Sequence, residues 1–234
     1  MTDPIQLVSA ARAYKGLSHQ TAAWNELQAK LTPQQLDDFA QLYRADPPAK
    51  EPSPSPGKTS VLLQVPYEYQ NDNASGTGYR ECFSSSCAMV ARFYGRVSSD
   101  DEYNRIRARF GDTTDSGAQL RALSSLGLQA TFRVNGSAEV LDRLLLEGRP
   151  VPVGWLHKGP VTAPTGGGHW SVVVGMTPDA FIFNDPNGEA DLVGGGYVTT
   201  SSKAGKAIAY SRKNWLRRWE VDGRGSGWYL DIKR

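Results

Sequence analysis

The chain has few cysteines, few histidines and little net charge. Its 234 residues include two cysteines and three histidines, and the formal net charge is +2. Cys82 and Cys87 are five residues apart, and on one helix their side chains would point to different faces. We therefore predict neither a disulfide nor, with so few thiol ligands, a zinc site. The small net charge gives no indication of a nucleic-acid partner.

The sequence also lacks a long apolar run and an N-terminal secretion signal. No segment approaches the roughly 20 apolar residues that span a bilayer. The chain starts Met1-Thr2-Asp3-Pro4, without a basic segment followed by an apolar core. We therefore expect a monomer without a membrane span that is made in the cytoplasm.

The composition along the chain indicates three parts. Residues 1–45 have the capping and apolar spacing of three short amphipathic helices, which predicts a small helical module. Residues 46–60 are rich in proline and serine, which is typical of an extended linker. Residues 61–234 contain the apolar runs of a larger domain.

In this domain helical patterns come first and strand patterns dominate later. We predict a strand from Val61 to Tyr67, and then helices at Cys82–Tyr94, Asp101–Phe110, Ala118–Leu126 and Ser137–Leu146. Strands are predicted at Leu128–Val134, Val151–Leu156, Trp170–Met176, Phe181–Asn184, Tyr197–Thr200 and Gly227–Ile232. This order predicts an α+β fold rather than an alternating parallel sheet.

Cys82 stands where a helical apolar pattern begins, whereas Cys87 lies inside that pattern. A free cysteine has a pKa of about 8.5, so it needs help to become a thiolate at neutral pH. A helix N-terminus and an imidazolium both favour the thiolate. We therefore predict that Cys82 is a nucleophile and that Cys87 is a buried core residue.

A histidine and a carboxylate follow at the ends of two strand patterns. His169 begins a valine-rich run after three glycines, and Asp185 ends the next run. A histidine paired with a cysteine suits nucleophilic catalysis, and a carboxylate can fix the histidine tautomer. Neighbouring Asn184 could fill the same role. Gln70, after the first strand, could donate its amide to an oxyanion.

These motifs, taken together, resemble the papain-like cysteine peptidases of the bacteriocin-leader-processing type. The resemblance covers about residues 61–234, and it rests on Val65-Pro66-Tyr67-x-x-Gln70, Cys82-x-x-x-Ser86-x-Ala88-Met89-Val90, Gly168-His169-Trp170 and Asn184-Asp185-Pro186-x-Gly188. It implies a papain-like fold, with a helical half packed on an antiparallel sheet. It also implies that Cys82, His169 and Asp185 are catalytic and that Gln70 contributes to the oxyanion hole.

The chain departs from the family pattern at two places. Phe83-Ser84 stand where the family has Gly-Pro, which changes the lip of the site and keeps Cys82 in register. The segment from Gln70 to Cys82 is longer than usual, so a backbone N–H could serve as the oxyanion donor without Gln70.

The substrate expectation rests on a further resemblance, to phage lysis proteins with this catalytic domain. It is carried by Asn184-Asp185-Pro186-x-Gly188-Glu189, Gly194-Gly195-Gly196-Tyr197-Val198 and Tyr210-Ser211-Arg212-Lys213-Asn214-Trp215. It implies an endolysin that cleaves peptidoglycan peptides in the cell envelope, with residues 1–45 helping to bind the wall. The alternatives are a precursor-processing peptidase and a non-catalytic peptide-binding relative, although a pure binder would not need the three catalytic residue types.

Two other patterns have competing interpretations. Asp185-x-Asn187-x-Glu189-x-Asp191 resembles a calcium loop, but it lacks the glycine and the distal glutamate of that motif, so we predict no metal or cofactor. The segment Arg212–Trp219 alternates basic and aromatic residues. We interpret it as a short helix with tryptophans in the core and arginines in solvent, rather than as a polymer-binding site.

Overall fold

The structure is a computed structural model that describes residues 60–234 of the chain. The helical module predicted at 1–45 and all but the last residue of the 46–60 linker lie outside the described residues. Within residues 60–234, no helix has the length and apolar character that crossing a membrane requires.

The described part of the chain contains five α-helices and nine β-strands. The helices are α1 (Cys82–Phe93), α2 (Asp100–Arg107), α3 (Ser116–Ser125), α4 (Ala138–Leu146) and α5 (Arg212–Trp219). The strands are β1 (Val61–Leu62), β2 (Gln129–Gly136), β3 (Val151–Trp155), β4 (His169–Met176), β5 (Ala180–Asn184), β6 (Glu189–Ala190), β7 (Tyr197–Thr199), β8 (Ile208–Ser211) and β9 (Gly227–Lys233). Two 3-10 turns, Gln70–Asp72 and Gly78–Arg80, precede α1.

Seven of the strands form one antiparallel sheet. Its order is β2-β9-β3-β4-β5-β8, and β1 pairs with β4 off this path. Strands β6 and β7 form a separate two-stranded ladder. The predicted α+β fold with helices packed on an antiparallel sheet is confirmed.

The predicted first strand is wrong in length. Only Val61 and Leu62 pair as a strand, although Leu63 still donates its N–H to Val174. Pro66 has no N–H with which to continue a ladder. The chain then turns towards β5, and Gln70 donates its backbone N–H to the carbonyl of Pro186 at 2.9 Å. This turn brings the segment before α1 next to the end of β5.

The core has two parts, one on each face of the sheet. Successive residues of a strand point to opposite faces, and in β4 Val172 and Val174 join one apolar cluster while Val173 joins the other. Helices α1 and α3 pack in the first cluster, and α4 and α5 pack in the second. Because both faces are covered, β4 is held firmly, and its first residue, His169, has a fixed position.

Candidate active site

Cys82 is the first residue of α1. The helix forms because the residues that follow are apolar and pack into the core, with Cys87, Ala88, Met89, Val90 and Ala91 all fully buried. The N–H groups of the first turn have no partner within the helix, and they favour a negative charge at its N-terminus. Cys82 is partly exposed there, so its thiol lies at the positive end of the helix dipole.

Cys87 lies one and a half turns further along the same helix. It is fully buried, and burial raises the pKa of its thiol far above the ordinary value. Both cysteines are free. A buried, protonated thiol is chemically inert, so the two cysteines have opposite properties although they share a helix.

His169 and Asp185 meet because β4 and β5 are antiparallel neighbours. In their ladder Val172 pairs with Asn184, so the start of β4 lies beside the end of β5. The Nε2 atom of His169 lies 2.8 Å from Oδ1 of Asp185, and both residues are buried. When Nε2–H donates to the carboxylate, Nδ1 is the nitrogen left for the thiol of Cys82, whose side chain is among the groups that raise the pKa of His169.

The surroundings of His169 favour its protonated form. Burial by itself lowers the pKa of His169, but the charge and hydrogen bond of Asp185, together with the Cys82 side chain, more than offset this effect. They raise the pKa of His169 to about 10. The imidazole is therefore held as an imidazolium at neutral pH, with its positive charge beside the Cys82 side chain.

Asp185 is oriented by several groups besides His169. Its Oδ1 also accepts the backbone N–H of Asn187 at 3.0 Å, and its Oδ2 accepts the hydroxyl of Tyr210 at 3.2 Å. Asn184, the alternative partner, instead donates to the carbonyl of Val65 and accepts the N–H of Ala207. The structure therefore places Asp185, and not Asn184, against the histidine.

Gln70 is buried, and its side chain is tied to the segment that precedes Cys82. Its Nε2 donates to the carbonyl of Gly78 at 2.8 Å, and Gly78 begins the turn that leads into α1. One N–H of the amide is used in this bond, and the second is left for another acceptor. The structure thus brings Gln70 next to the turn that precedes α1.

The long segment between Gln70 and Cys82 folds around the buried carboxylate of Glu81. Its Oε2 accepts the Asn73 amide at 2.6 Å and the Ser75 hydroxyl at 2.9 Å, and its Oε1 accepts the Thr77 hydroxyl at 2.9 Å. A buried carboxylate is stable only when such donors surround it. The extra residues are therefore an ordered loop fastened to the residue before the thiol.

Aromatic rings enclose the other side of His169. The ring centroids of Trp155 and His157 each lie 5.5 Å from that of His169, and the ring of Tyr197 lies 5.7 Å away. Burial lowers the pKa of His157 to about 4, with the neighbouring His169 as the next contribution, so His157 is neutral at pH 7. This wall keeps the paired His169 away from water.

The residues of the calcium-like pattern have other partners. Asp185 binds His169, the side-chain oxygen of Asn187 accepts the Asn71 amide, and Asp191 accepts the backbone N–H groups of Val193 and Gly194. Within residues 60–234, no group of three or more His, Cys, Asp or Glu side chains is arranged to hold a metal ion.

The basic and aromatic segment at 212–219 forms α5. Trp215 and Trp219 are buried in the core, as the sequence predicts. The prediction that the arginines lie in solvent is wrong for Arg218, which is 0 % exposed, and for Arg212, which binds the carboxylate of Asp142 with both terminal nitrogens. The buried guanidinium is stable because it donates to backbone carbonyls, which the sequence pattern does not show.

Sequence reasoning missed three groups around the site: Glu81, Tyr210 and the His157–Tyr197 wall. Glu81 has a signal, since an acidic residue directly precedes the predicted nucleophile in a segment rich in Asn, Ser and Thr. Tyr210 and Tyr197 have none, because they reach the site only through the pairing of β8 with β5 and of β7 with β6.

Comparisons with known proteins indicate a family of cysteine proteases. The family model of the papain-like cysteine protease AvrRpt2 matches residues 59–193, which is more than half of the chain and includes Gln70, Cys82, His169 and Asp185. Among curated protein sequences, none matches the chain significantly.

The structure is also similar to solved structures of low sequence identity. One described as a C39-like peptidase from Bacillus anthracis superposes with a TM-score of 0.51 at 18% identity, covering 75% of this chain and 98% of its own. The double-glycine-motif protease of an AMS/PCAT transporter, solved with its leader peptide, gives a TM-score of 0.44 at 18% identity, covering 74% and 94%. The peptidase domain of Streptococcus ComA gives 0.45 at 16% identity, covering 74% and 96%. The chain belongs to the family of papain-like cysteine proteases that the AvrRpt2 model describes.

Proposed function

We propose that this cysteine peptidase cleaves peptide bonds with Cys82 as nucleophile, His169 as acid and base, and Asp185 as the group that orients His169. The observation that carries the proposal is the buried contact of 2.8 Å between His169 Nε2 and Asp185 Oδ1, next to a thiol at a helix N-terminus. This arrangement puts a nucleophilic sulfur and a proton donor side by side, which an acyl transfer needs.

The reaction proceeds in two steps. The Cys82 thiolate attacks the carbonyl carbon of the scissile bond, and His169 passes its Nδ1 proton to the leaving amine as the C–N bond breaks. The acyl group is then a thioester on Cys82. Water attacks that thioester while His169 accepts a proton, and the C–S bond breaks to release the carboxylic acid. The thiolate and imidazolium are thereby regenerated.

The developing oxyanion needs preorganised N–H donors. The backbone N–H of Cys82, at the first position of α1, has no partner inside the helix. The second N–H of the Gln70 amide is the other donor that we assign, since the first is held by the carbonyl of Gly78. The Gly78 contact fixes the amide plane and so sets the direction of the free N–H.

Iodoacetamide labelling tests whether the site is catalytic or whether the protein is a non-catalytic peptide-binding relative. Rapid alkylation of Cys82 at pH 6, much faster than that of a free thiol, is expected from the imidazolium beside it. Labelling of Cys82 at the rate of glutathione under the same conditions would contradict the proposal. Cys87 is the internal control, since a buried thiol should not react in the folded protein.

For the substrate we propose the stem or cross-link peptides of bacterial peptidoglycan, as in a phage-type endolysin. The support is the resemblance of the segments around Asn184, Gly194 and Tyr210 to phage lysis proteins. The purified protein should release soluble muropeptides from isolated sacculi, identified by mass spectrometry, and the Cys82→Ala variant should release none. Intact sacculi of both Gram types after prolonged incubation would contradict this substrate.

The alternative is a peptidase that processes a protein precursor. It is favoured by the description of the matching family as proteases. Three basic residues near the C-terminus, Arg212, Arg218 and Arg224, also bind groups within the protein, which weakens the case for an anionic polymer as substrate. Incubation with a library of denatured proteins, followed by sequencing of the new termini, separates the two substrates. Cleavage of this library at a consistent sequence without any action on sacculi would favour processing.

A further inference from the structure

Arg218 of α5 is fully buried and uses its guanidinium to bind four backbone carbonyls. Its Nε donates to Leu192 at 2.8 Å, its Nη1 to Leu156 at 3.1 Å and to Lys158 at 3.2 Å, and its Nη2 to Gly159 at 2.8 Å. Its own carbonyl accepts the N–H of Leu156 at 2.9 Å. Burying a charged group is costly, so a guanidinium satisfied in this way fastens the chain segments that it binds.

The four carbonyls belong to two loops. The first loop, residues 156–168, joins β3 to β4, and the second, residues 191–196, joins β6 to β7. The loops also bind each other, because Gly196 donates its N–H to His157 at 2.6 Å and Val161 donates to Val193 at 2.9 Å. A Cβ on Gly195 would collide with the carbonyl oxygen of Gly159. The two loops therefore form one unit with Arg218 at its base.

This unit carries part of the wall beside His169. His157 lies in the first loop, and Tyr197 directly follows the second. Their rings are 5.8 Å apart, and each lies within 5.7 Å of the His169 ring. The position of these rings decides how much water reaches the His169–Asp185 pair, and a dry site strengthens the attraction between the two charges.

We propose that Arg218 is a positioning residue for His169: it holds the two loops so that His157 and Tyr197 exclude water from the pair of His169 and Asp185. The inference rests on the proposed function, because it assigns Arg218 a role in that same site. A lysine cannot replace it, since three donors on one nitrogen cannot span four carbonyls, whereas the planar guanidinium has five separate N–H groups.

The titration of His169 reports on this role directly. The titratable groups that face it are Asp185, Cys82, His157 and Tyr197. Water entering the site should return the pKa of His169 from about 10 towards the ordinary value of 6.5. The chain has only three histidines, so each imidazole can be assigned and followed by ¹⁵N NMR as pH is raised.

The test compares Arg218→Lys with Arg212→Lys, a matched change on the same helix. Arg212 binds Asp142 and lies over the Phe181 ring, away from both loops. We expect the His169 midpoint to fall by about one unit or more in Arg218→Lys, with the alkaline limit of hydrolysis shifted equally, which is about a tenfold change in the equilibrium. Arg212→Lys should lower the melting temperature without moving the midpoint.

A second variant covers the case in which Arg218→Lys does not fold. Gly195→Ala should push the two loops apart without touching α5, and it should shift the same midpoint downward. An unchanged midpoint in a folded Arg218→Lys or Gly195→Ala protein would overturn the inference, even if activity fell. A wild-type midpoint near 6.5 would instead overturn the ion pair itself, and with it the proposed function.

Discussion

The site has a thiol side, the loop before Cys82, and a histidine side, the two loops beside His169. Each side is held by one buried charged group, but the hydrogen-bond partners of the two groups differ in kind. On the thiol side, the Glu81 carboxylate is surrounded by the side-chain donors of Asn73, Ser75 and Thr77. On the histidine side, the Arg218 guanidinium is surrounded by backbone carbonyls. The conformation of the loop at 73–77 therefore depends on its side chains, whereas that of the loops at 156–168 and 191–196 depends on the path of their backbone.

This difference has consequences for how each side tolerates substitution. A loop fastened through side chains loses a bond with each polar residue that is replaced, which costs about 1–3 kcal/mol for a buried donor or acceptor left without a partner. A loop fastened through carbonyls tolerates most side chains and is sensitive only where the backbone is crowded, as at Gly159 and Gly195. We expect sequence changes to be damaging at 73–77, whereas in 191–196 they should be damaging at the glycines and tolerated at an exposed side chain such as Val193.

The largest effect is expected from removing the reactive atom of the thiol side. Cys82→Ala should reduce the hydrolysis rate at least about 1,000-fold, because no other group can form the acyl-enzyme. The melting temperature should change little, since Cys82 is partly exposed. Initial rates on a cleavable peptide and circular dichroism measure the two quantities. Residual activity within tenfold of the wild type would assign the nucleophile elsewhere.

Asp185→Asn acts on the histidine side and should have the second-largest effect. The change removes the charge that holds His169 protonated, and we expect the rate at pH 7 to fall about 10- to 100-fold. The pH–rate profile is the sharper measurement. In the wild type the alkaline limb should have its midpoint near the pKa of His169, about 10, and in the variant this midpoint should lie lower.

The same pair makes stability depend on pH. The folded-state pKa of His169 is raised above the ordinary value of 6.5 to about 10. Its protonation therefore contributes stability that is fully present below pH 6.5 and is lost as pH rises through 10. Urea unfolding at pH 6, 8 and 10 should show a steeper loss for the wild type than for Asp185→Asn. Equal slopes would mean that the buried pair is not ionised.

Glu81→Gln tests how the loop at 73–77 supports the thiol side. It should reduce the hydrolysis rate less than Asp185→Asn does. Loss of the carboxylate weakens the bonds from the loop at 73–77, so we expect hydrolysis to fall about tenfold as Gln70 loses its position. Alkylation of Cys82 should not slow, because the change removes a negative charge next to a thiolate. Hydrolysis would then fall without a matching fall in the alkylation rate, and the His169 midpoint that Arg218→Lys lowers should stay unchanged.

Slower alkylation in Glu81→Gln would contradict this assignment and would indicate that the start of α1 itself had moved. A matched control is Glu147→Gln, at a surface carboxylate paired with Arg143 and Arg149, which should leave both rates unchanged.

The fold was predictable from the sequence where one pattern dominates a segment. Helix α1 and strand β4 follow from the apolar runs at 87–91 and 172–174, which are buried on more than one side. Strand β8 was not predicted, because Ile208–Ser211 is short and mixes exposed with buried residues. Its place in the sheet comes from pairing with β5, a contact between segments that are distant in sequence.

The site was predictable to the extent that its residues end elements. Cys82, His169 and Asp185 stand at or next to the ends of a helix and two strands, and such ends meet at one edge of a sheet. Gln70 reaches them through a turn that binds Pro186. The support around them was not predictable, because Tyr197 and Arg218 act through rings and backbone carbonyls. The sequence pattern of α5 placed Arg218 in solvent by its charge, whereas the acceptors that stabilise it lie in loops about 60 residues earlier.

The smallest effect, and a direct comparison within one helix, is expected from Cys87→Ala. The thiol is fully buried beside Ala88, Met89 and Val90, so its loss leaves a small cavity and should cost about 1 kcal/mol of unfolding free energy. Hydrolysis and the alkylation rate of Cys82 should be unchanged at 25 °C, and urea denaturation measures the stability. If this variant lost activity while remaining folded, the assignment of the nucleophile to the thiol at the helix N-terminus would be wrong.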